Sequence, residues 1–325
     1  MNSKKWYYSV SFLFCLTCVS AQEIDDLKSS PAHVSIVHPV GIHGQQSVDY
    51  AYNFSLNLLS GKIGGLKGLE FSGLFGRVED NARGFQMAGL ANTVGYEMKG
   101  IQFSVFGNAT GDGMKGIQLS CFANIVGDEM SGIQITGVFN RVHTLRGIQI
   151  GLVSVNDTIE NGASFSLINL VKRGFYSEWE LSFSDYANAA LSFKMGAQKF
   201  YTVYTVGLNF MADNLLNLGV GFGKRFPIGN LFDFQPELIF SKYFPTSFTT
   251  NQSNLSSRLK FGFVYRLNEK FGLSFAPSLY LLNAAKNRER YEFYRISPIG
   301  ALYKNEVSRK LTAIGVGLSI GLSMK

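Results

Sequence analysis

The sequence has little charge, little proline and few cysteines, and each scarcity excludes a class of protein. Charged residues make up 16% of the 325 residues while aromatic residues make up 14%, which excludes a disordered chain. The chain has 7 prolines but 35 glycines, a composition that favours β-structure with tight turns or a lipid-facing surface. The formal net charge is only +7 and its basic residues are scattered, so we expect no nucleic-acid partner.

The N-terminus has the pattern of a signal peptide. Two lysines, Lys4 and Lys5, precede an apolar run from Trp6 to Cys18, and small residues follow at Val19–Ala21. The run is too short for a transmembrane helix, which needs about 20 apolar residues. We therefore predict a signal peptide over residues 1–21 and an exported mature chain that begins at Gln22.

Long hydrophobic runs are missing from the rest of the chain, because glycine and polar residues interrupt every apolar stretch. Loss of the signal peptide would leave Cys121 as the single cysteine, which excludes an intramolecular disulfide. The sequence places Cys121 in a repeat position that is occupied elsewhere by glycine or valine. We expect it to be a small packed residue.

A phrase of about sixteen residues recurs through the first half of the chain, as in "GIQFSVFGNATGDGMK" from Gly100 to Lys115. Each phrase opens on a glycine: Gly68, Gly84, Gly100, Gly116, Gly132, Gly147 and Gly162. Glutamine and asparagine recur at fixed places within it: Gln86, Gln102, Gln118, Gln134, Gln149, Asn92, Asn108, Asn124 and Asn140. Fixed short periods indicate one structural unit stacked on itself.

The repeat favours a narrow parallel β-solenoid with one strand and one return per phrase. Ile101 and Phe103 alternate with Gln102 and Ser104, the period of a strand with one apolar face. We interpret the glycines and asparagines as turn residues. Stacked glutamine or asparagine amides can donate to one neighbour and accept from the next, which explains their recurrence structurally. The alternative, in which each phrase is one strand of an antiparallel barrel, predicts alternating loop types that the sequence does not have.

The second half of the chain alternates large apolar residues with small or polar ones. The pattern is clearest over residues 202–210, 216–223, 258–267 and 314–324, and we count eight or nine strands from Trp179 to Met324. An outer-membrane barrel and a soluble β-sandwich both produce this alternation. The Gly/Ser face of the last strand favours the barrel, since a tightly filled barrel interior accommodates glycine. Residues 34–40 are a further candidate barrel strand.

Charged and aromatic residues of the second half suit the two surfaces of such a barrel. We assign a salt-bridge network in the lumen to these residues: Glu180, Lys194, Glu237, Arg258, Lys260 and Arg266. Aromatic residues near the strand ends are candidates for interfacial girdles: Tyr201, Phe226, Tyr243, Phe244 and Tyr303. The final residues, Met324 and Lys325, lack the terminal aromatic residue of many outer-membrane barrels and count against this interpretation.

Three further patterns do not amount to catalytic or cofactor sites. His33, His38 and His43 have a spacing that specifies no metal geometry. Acidic residues in the repeat turns (Asp112, Asp128 and Glu129) form a broken row without a calcium-binding motif. The glycines of residues 219–224 alternate with apolar residues as in a strand and do not form a phosphate-binding loop. We predict no catalytic residues, no metal and no cofactor.

The two halves together resemble a bacterial, Bacteroidota-type surface-repeat family. The matching stretches are the phrases over residues 68–156, "FSLNLLSG" at residues 54–61 and "FYTVYTVGLNF" at residues 200–210. The resemblance implies an all-β fold and a place in the cell envelope, and it implies no activity.

These observations predict an all-β protein made of a repeat β-solenoid and an antiparallel outer-membrane-type β-barrel. The predicted divisions are a signal peptide (1–21), a lead-in with a barrel strand (22–51), the repeats (52–170) and the barrel-like region (171–325). We expect a non-enzymatic outer-membrane or cell-surface protein whose partners are the lipid bilayer and envelope proteins or surface glycans. A soluble secreted or periplasmic all-β binding protein is the alternative, and an envelope enzyme acting on lipid or glycan is a third hypothesis.

Overall fold

The structure, a computed structural model, describes residues 24, 26–185, 187–209, 215–245, 254–285, 301–307 and 310–325. The predicted signal peptide and Gln22 lie outside the described residues. The chain divides into two compact units, Met1–Ala163 and Ser164–Lys325, so the division falls a few residues before the predicted one. Among the described residues no helix has the length and apolar character needed to cross a membrane.

The first unit is built almost entirely of parallel strands. Its strands are β1 (Lys28–Val37), β2 (Val40–Gly41), β3 (Tyr50–Ile63), β4 (Gly65–Ser72), β5 (Phe75–Val78), β6 (Ala82–Ala88), β7 (Ala91–Val94), β8 (Met98–Ser104), β9 (Gly107–Thr110), β10 (Met114–Ser120), β11 (Ala123–Thr136), β12 (Phe139–Leu145) and β13 (Ile148–Ile159), followed by β14 (Ala163–Val171). A short 3₁₀ helix, Gly44–Asp49, precedes β3.

The strands stack as two parallel sheets, so the predicted solenoid is confirmed. One sheet pairs β4, β6, β8, β10 and the end of β11 in order, and the other pairs β5, β7, β9 and the start of β11. The register sets each residue opposite its equivalent in the next phrase, such as Gln102 opposite Gln118. Each phrase therefore supplies two strands, where the sequence predicted one strand and a return.

The coil interior is divided between an apolar end and a polar end. At one end Met98, Met114 and Met130 are fully buried against a column of valines that includes Val94 and Val126. At about 1.5–3 kcal/mol for each fully buried side chain, this column is the main hydrophobic stabilisation of the coils. The other end contains the glutamine and asparagine side chains.

Five of the seven phrase glycines (Gly68, Gly84, Gly100, Gly116 and Gly132) lie inside strands, so their predicted placement in turns is wrong, whereas Gly147 and Gly162 lie directly before β13 and β14. Gly100 in β8 has a φ of +142°, and a Cβ there would lie 1.9 Å from the carbonyl oxygen of Gly84 one coil earlier. Gly116 and Gly132 repeat this geometry with distances of 2.0 Å. A side chain would therefore strain the backbone and push adjacent coils apart. The repeated asparagines are also strand residues, because Asn108 lies in β9 and faces the coil interior.

The second unit is an antiparallel barrel. Its strands are β15 (Phe175–Ser184), β16 (Ala189–Ala197), β17 (Phe200–Asn209), β18 (Leu215–Lys224), β19 (Phe226–Ile228), β20 (Phe232–Pro245), β21 (Asn254–Arg266), β22 (Phe271–Ala285), β23 (Ala301–Val307) and β24 (Lys310–Met324). Neighbours pair in chain order, and β24 closes the barrel on β15 with Met324 opposite Trp179. The closed barrel has eight strands, while the short β19 and β23 pair outside this path with β20 and β24.

Two predictions about the barrel strands are corrected by this topology. Residues 34–40 do not contribute a barrel strand, because β1 pairs in parallel with β3 of the repeat unit. Tyr201 and Tyr243 are not girdle residues, because both are buried in the barrel interior with exposed fractions of 0% and 4%. Tyr201 has the same strand parity as the buried Val203, so the alternation of β17 places both side chains on the inward face.

Candidate functional site: a charged barrel lumen and a buried amide ladder

The barrel lumen contains a compact network of charged side chains centred on Lys194. Its ammonium nitrogen lies 3.0 Å from Glu178, 2.8 Å from Glu180 and 2.9 Å from Glu237. It also lies 2.7 Å from the amide oxygen of Gln235. All of these side chains are almost completely buried. The predicted lumen residues Lys194, Glu180 and Glu237 therefore lie together.

Lys260 is the second cation of the network. It donates to both carboxylate oxygens of Glu180, at 2.8 and 3.0 Å, and lies 3.3 Å from Glu237. Ser274 donates a further hydrogen bond of 3.0 Å to Glu180. Arg258, the third predicted cation, is 5% exposed and also faces the lumen. Three carboxylates, Glu178 included, are thus balanced by Lys194, Lys260 and Arg258, so each buried charge has a nearby counter-charge.

Arg266 belongs to a separate cluster near one rim of the barrel. Its guanidinium group binds both carboxylate oxygens of Asp233, with 2.8 Å from Nε to Oδ2. Arg225 reaches the same carboxylate at 2.9 Å, and the Lys325 ammonium lies 3.7 Å from it. The C-terminal lysine is therefore held near a fully buried aspartate.

Sequence reasoning missed the neutral partners of the Lys194 network. Tyr176 donates a hydrogen bond of 2.6 Å to Glu178, and Tyr201 donates one of 2.9 Å to Glu237. Gln235 links them, with its amide nitrogen 3.3 Å from the Tyr176 hydroxyl. The alternation of β15 and β17 contained this information, because Tyr176 and Tyr201 have the inward parity.

Glycines give the network the space it needs. A Cβ at Gly223 would lie 2.5 Å from the ring of Tyr201, and one at Gly315 would lie 2.3 Å from the ring of Tyr280. At Gly317 it would lie 2.7 Å from the carboxylate of Asp185. The glycines of β18 and β24 thus admit tyrosine and carboxylate groups to a narrow lumen.

The outer surface of the barrel is apolar, whereas its lumen is polar. On β22 the outward residues from Phe271 to Leu281 are Phe271, Leu273, Phe275, Pro277, Leu279 and Leu281. From Phe271 to Leu281 the strand advances by 10 residues, which is about 34 Å along the strand. With strands tilted by about 40°, this length gives the band a height of roughly 26 Å along the barrel axis. This height matches the apolar band of about 25 Å in membrane barrels.

One rim of this band is aromatic. Five aromatic side chains, four at the ends of barrel strands and one in β19, are between 38% and 48% exposed: Phe175, Phe226, Phe232, Tyr265 and Phe271. Phe232 and Tyr265 are cross-strand neighbours with ring centroids 5.1 Å apart. Of the predicted girdle residues, Phe226 and Tyr303 are exposed, whereas the other two tyrosines are not.

In the repeat unit, the glutamines form a continuous hydrogen-bonded ladder inside the coils. Each amide nitrogen donates to the amide oxygen of the preceding glutamine, from Gln149 through Gln134 and Gln118 to Gln102 and Gln86, over distances of 2.7 to 2.9 Å. Every member is 0% exposed. The ladder thereby satisfies amides that would otherwise be costly to bury.

The asparagines form a second ladder of opposite direction. Asn92 donates to Asn108 at 2.9 Å, and Asn108 donates to Asn124 at 3.0 Å, so these bonds point toward the C-terminus. Each asparagine amide also reaches a backbone carbonyl of the other sheet, as Asn124 does at Ile135 over 2.8 Å. Asn140 makes the equivalent bond to Ile150 at 2.9 Å. The two ladders join the sheets, and their opposed dipoles offset one another.

Glu70 ends the glutamine ladder, and sequence reasoning missed it. It occupies the ladder position one phrase before Gln86, accepts a hydrogen bond of 2.8 Å from Gln86 and accepts another of 3.1 Å from Asn57. Burial raises the pKa of the Glu70 carboxyl to about 7, although these donors and Ser72 oppose the rise. A carboxylate donates nothing, so it is a suitable final acceptor for a row of amide donors.

The remaining candidate sites do not assemble. His33 packs on Tyr52 and His43 stacks on Tyr50, with ring centroids 4.9 and 4.2 Å apart. Burial and the two neighbouring histidines lower the pKa of His33. Within the part of the chain that the structure describes, no three His, Cys, Asp or Glu side chains are grouped to hold a metal ion. Residues 219–224 lie in β18, as the sequence indicated.

Comparison with known proteins assigns the chain to no family. No family model matches the chain, and no curated protein matches it. A solved structure described as "De novo design of transmembrane beta-barrels" is similar over 46% of this chain and 91% of its own, with 12% identity and a TM-score of 0.26. The closed barrel and the solenoid define an all-β protein of two different architectures.

Proposed function

We propose that the protein is a non-enzymatic outer-membrane protein in which the barrel is the membrane anchor and the repeat unit is a rigid structural or interaction element. The observation that carries this proposal is the inverted polarity of the barrel. Side chains such as Leu273, Phe275 and Leu279 face outward, while Glu180 and Lys194 are buried inside. A soluble sandwich buries its large apolar face against a second sheet, whereas here that face points away from the closed lumen.

The charged network supports a barrel that conducts no ions. Lys194 and Lys260 bridge carboxylates from β15 and β20 across the interior, and tyrosine rings fill the space beside them. An ion entering the lumen would have to break several buried charge-assisted hydrogen bonds, each of which is worth about 1.5–3 kcal/mol. The network is thus a plug that fixes the positions of the strands.

The proposal includes export and a place in the bacterial envelope. The N-terminal sequence supports cleavage after residue 21, and the phrases over residues 68–156 resemble the Bacteroidota-type surface-repeat family. The repeat unit presents the same side chains at each coil, which suits a repetitive partner such as a surface glycan or another envelope protein. The carboxylates of the described network are engaged with lysines, which supports a structural role for them rather than hydrolysis of lipid or glycan.

Membrane fractionation tests this proposal. The expressed protein should remain in the outer membrane after an alkaline wash and should migrate differently on a detergent gel before and after boiling. In planar bilayers it should insert without opening channels. Release by the alkaline wash, together with identical migration of unheated and boiled samples, would overturn the barrel anchor. Stable single-channel currents would overturn only the proposed plug.

A further inference from the structure

The repeat unit has an apolar edge formed by the turn between its two sheets. At each coil two consecutive turn residues point outward, among them Val105 and Phe106, which are 52% and 53% exposed. Phe122 lies one coil further on, is 47% exposed and stacks on Phe106 with ring centroids 4.8 Å apart. Ile101 and Phe103 extend this apolar edge onto the adjoining sheet at 37% exposure each.

The opposite edge of the same coils is charged. Lys99 and Lys115 follow one another along it, and Asp112 and Asp128 are exposed beside them. Over residues 60–160 there are eight basic and nine acidic residues, and two of the acidic residues, Glu70 and Asp80, are buried, which leaves eight basic and seven acidic residues at the surface. Because these charges nearly balance, an acidic or basic partner has little electrostatic preference for this edge.

The size and chemistry of the apolar edge indicate what kind of partner covers it. More than a dozen large apolar side chains of the repeat unit are at least one-third exposed, and together they expose on the order of 1,000 Å². That exceeds the 300–600 Å² of the largest apolar patch on a typical soluble monomer. The outward residues at two successive coils (Ile101, Phe103, Val105, Phe106, Ile117, Leu119, Cys121 and Phe122) have no strong hydrogen-bonding side chain. A protein interface of this size would contain about one hydrogen bond per 100–200 Å².

We propose that this apolar edge lies in the acyl-chain region of a lipid bilayer, with the solenoid axis in the membrane plane and the charged edge in water. At this end of the coils the polarity is inverted as in the barrel, because glutamine and asparagine amides are buried inside and large apolar groups are exposed outside. The charged edge runs the whole length of the coils, so the solenoid cannot cross the bilayer without burying it. Hydrocarbon needs neither hydrogen bonds nor shaped pockets, so a uniform apolar edge is sufficient for it.

Cys121 offers a direct test, because it is exposed on the apolar edge. With Cys15 and Cys18 replaced by serine it is the single thiol of the full chain. The protein is labelled there with an environment-sensitive fluorophore, reconstituted in zwitterionic liposomes and titrated with lipids that have a quencher on the acyl chain. Two matched control variants contain Cys121→Ser and have the fluorophore attached at another position. One is Asp128→Cys on the charged edge, and the other is Leu279→Cys on the outer face of the barrel.

The proposal predicts a loss of fluorescence at residue 121 comparable with that at residue 279, a blue-shifted emission, and little quenching at residue 128. Addition of anionic lipid should leave the quenching at residue 121 unchanged. Quenching at residue 279 without quenching at residue 121 would overturn the bilayer contact and leave the barrel anchor intact. Equal quenching at residues 121 and 128 would also overturn it. Absence of quenching at residue 279 would instead contradict the barrel anchor.

Discussion

Glu70 gives the repeat unit a stability that depends on pH. Its carboxyl is 0% exposed and its pKa is raised from 4.5 to about 7, chiefly by burial. The folded state therefore retains the proton that the unfolded state releases. The stabilisation is complete below pH 4.5 and is lost as the pH rises through 7. A shift of this size corresponds to about 3 kcal/mol, of which roughly 2–3 kcal/mol is lost between about pH 5 and pH 8.

The perturbation that isolates this effect is Glu70→Gln, which keeps the shape of the side chain and removes its titration. Hydrogen exchange of peptides from β4, β6 and β8 in the reconstituted full chain, corrected for intrinsic rates, gives the opening free energy at each pH. Wild-type protection should fall between pH 5 and pH 8, whereas protection of the variant should stay level. Glu97→Gln is the matched control, because the Glu97 side chain is 42% exposed and paired with Lys99 at 2.7 Å.

The Glu97 control should retain the wild-type pH dependence, since a surface ion pair contributes only about 0–1 kcal/mol. An isotope-edited infrared titration should also locate a carboxyl band of Glu70 that disappears near pH 7. Wild-type protection that is level across this range would refute the reasoning. An equal slope in the Glu70→Gln variant would assign the pH dependence to another group.

Three further substitutions test the two structural networks. Gln102→Leu removes one member of the amide ladder and leaves Gln86 and Gln118 without their partner, so opening of the coils should become about 2–4 kcal/mol easier by hydrogen exchange. Gly100→Ala places a methyl group against the preceding coil at a φ of +142° and should lower protection of β6 and β8 by several kcal/mol. Lys194→Met leaves buried carboxylates uncompensated and should cost about 3–5 kcal/mol of barrel stability, seen as loss of the heat-dependent gel shift at lower temperature.

Each substitution has an outcome that contradicts its premise. Wild-type exchange in Gln102→Leu would mean that the ladder contributes no net stability. Wild-type exchange in Gly100→Ala would mean that the coils relax to admit a methyl group. An unchanged or raised melting temperature in Lys194→Met would show that the network does not determine barrel stability. Lys194→Arg should then leave the melting temperature unchanged as well.

Periodicity predicted the two architectures, because both require residue types to recur at a regular spacing along the sequence. The spacing between equivalent residues such as Gln102 and Gln118 equals one coil, and the alternation over residues 314–324 covers most of one barrel strand, β24. Periodicity does not show whether a given face of a strand points into the protein or away from it. A strand with one apolar and one polar face looks the same whether its apolar face points in or out. The expectation that Cys121 is packed was wrong for that reason, since it lies on an outward-facing apolar edge.

The candidate sites were predicted in part for the same physical reason. Glu180 and Lys194 lie on the small or polar side of alternating strands, which the sequence displays and which the barrel interpretation assigns to the lumen. Their contact depends on barrel closure and strand register, which no local pattern specifies. The sequence contained a signal for Glu70, because this residue lies one phrase before Gln86. However, the repeat has glutamate here where the later phrases have glutamine, and ladder residues were recognised by the recurring glutamine.

The most direct test of the account is a spin-label accessibility scan along β22 in liposomes. Labels at Leu273, Phe275 and Leu279 should be accessible to oxygen and protected from a water-soluble nickel chelate, because the proposed membrane anchor places these exposed side chains in lipid. Labels at Ser274 and Ser278 should be shielded from both reagents, because these side chains face a filled lumen. Strong exposure of the outward labels to the nickel chelate would place the barrel in water and contradict the membrane anchor.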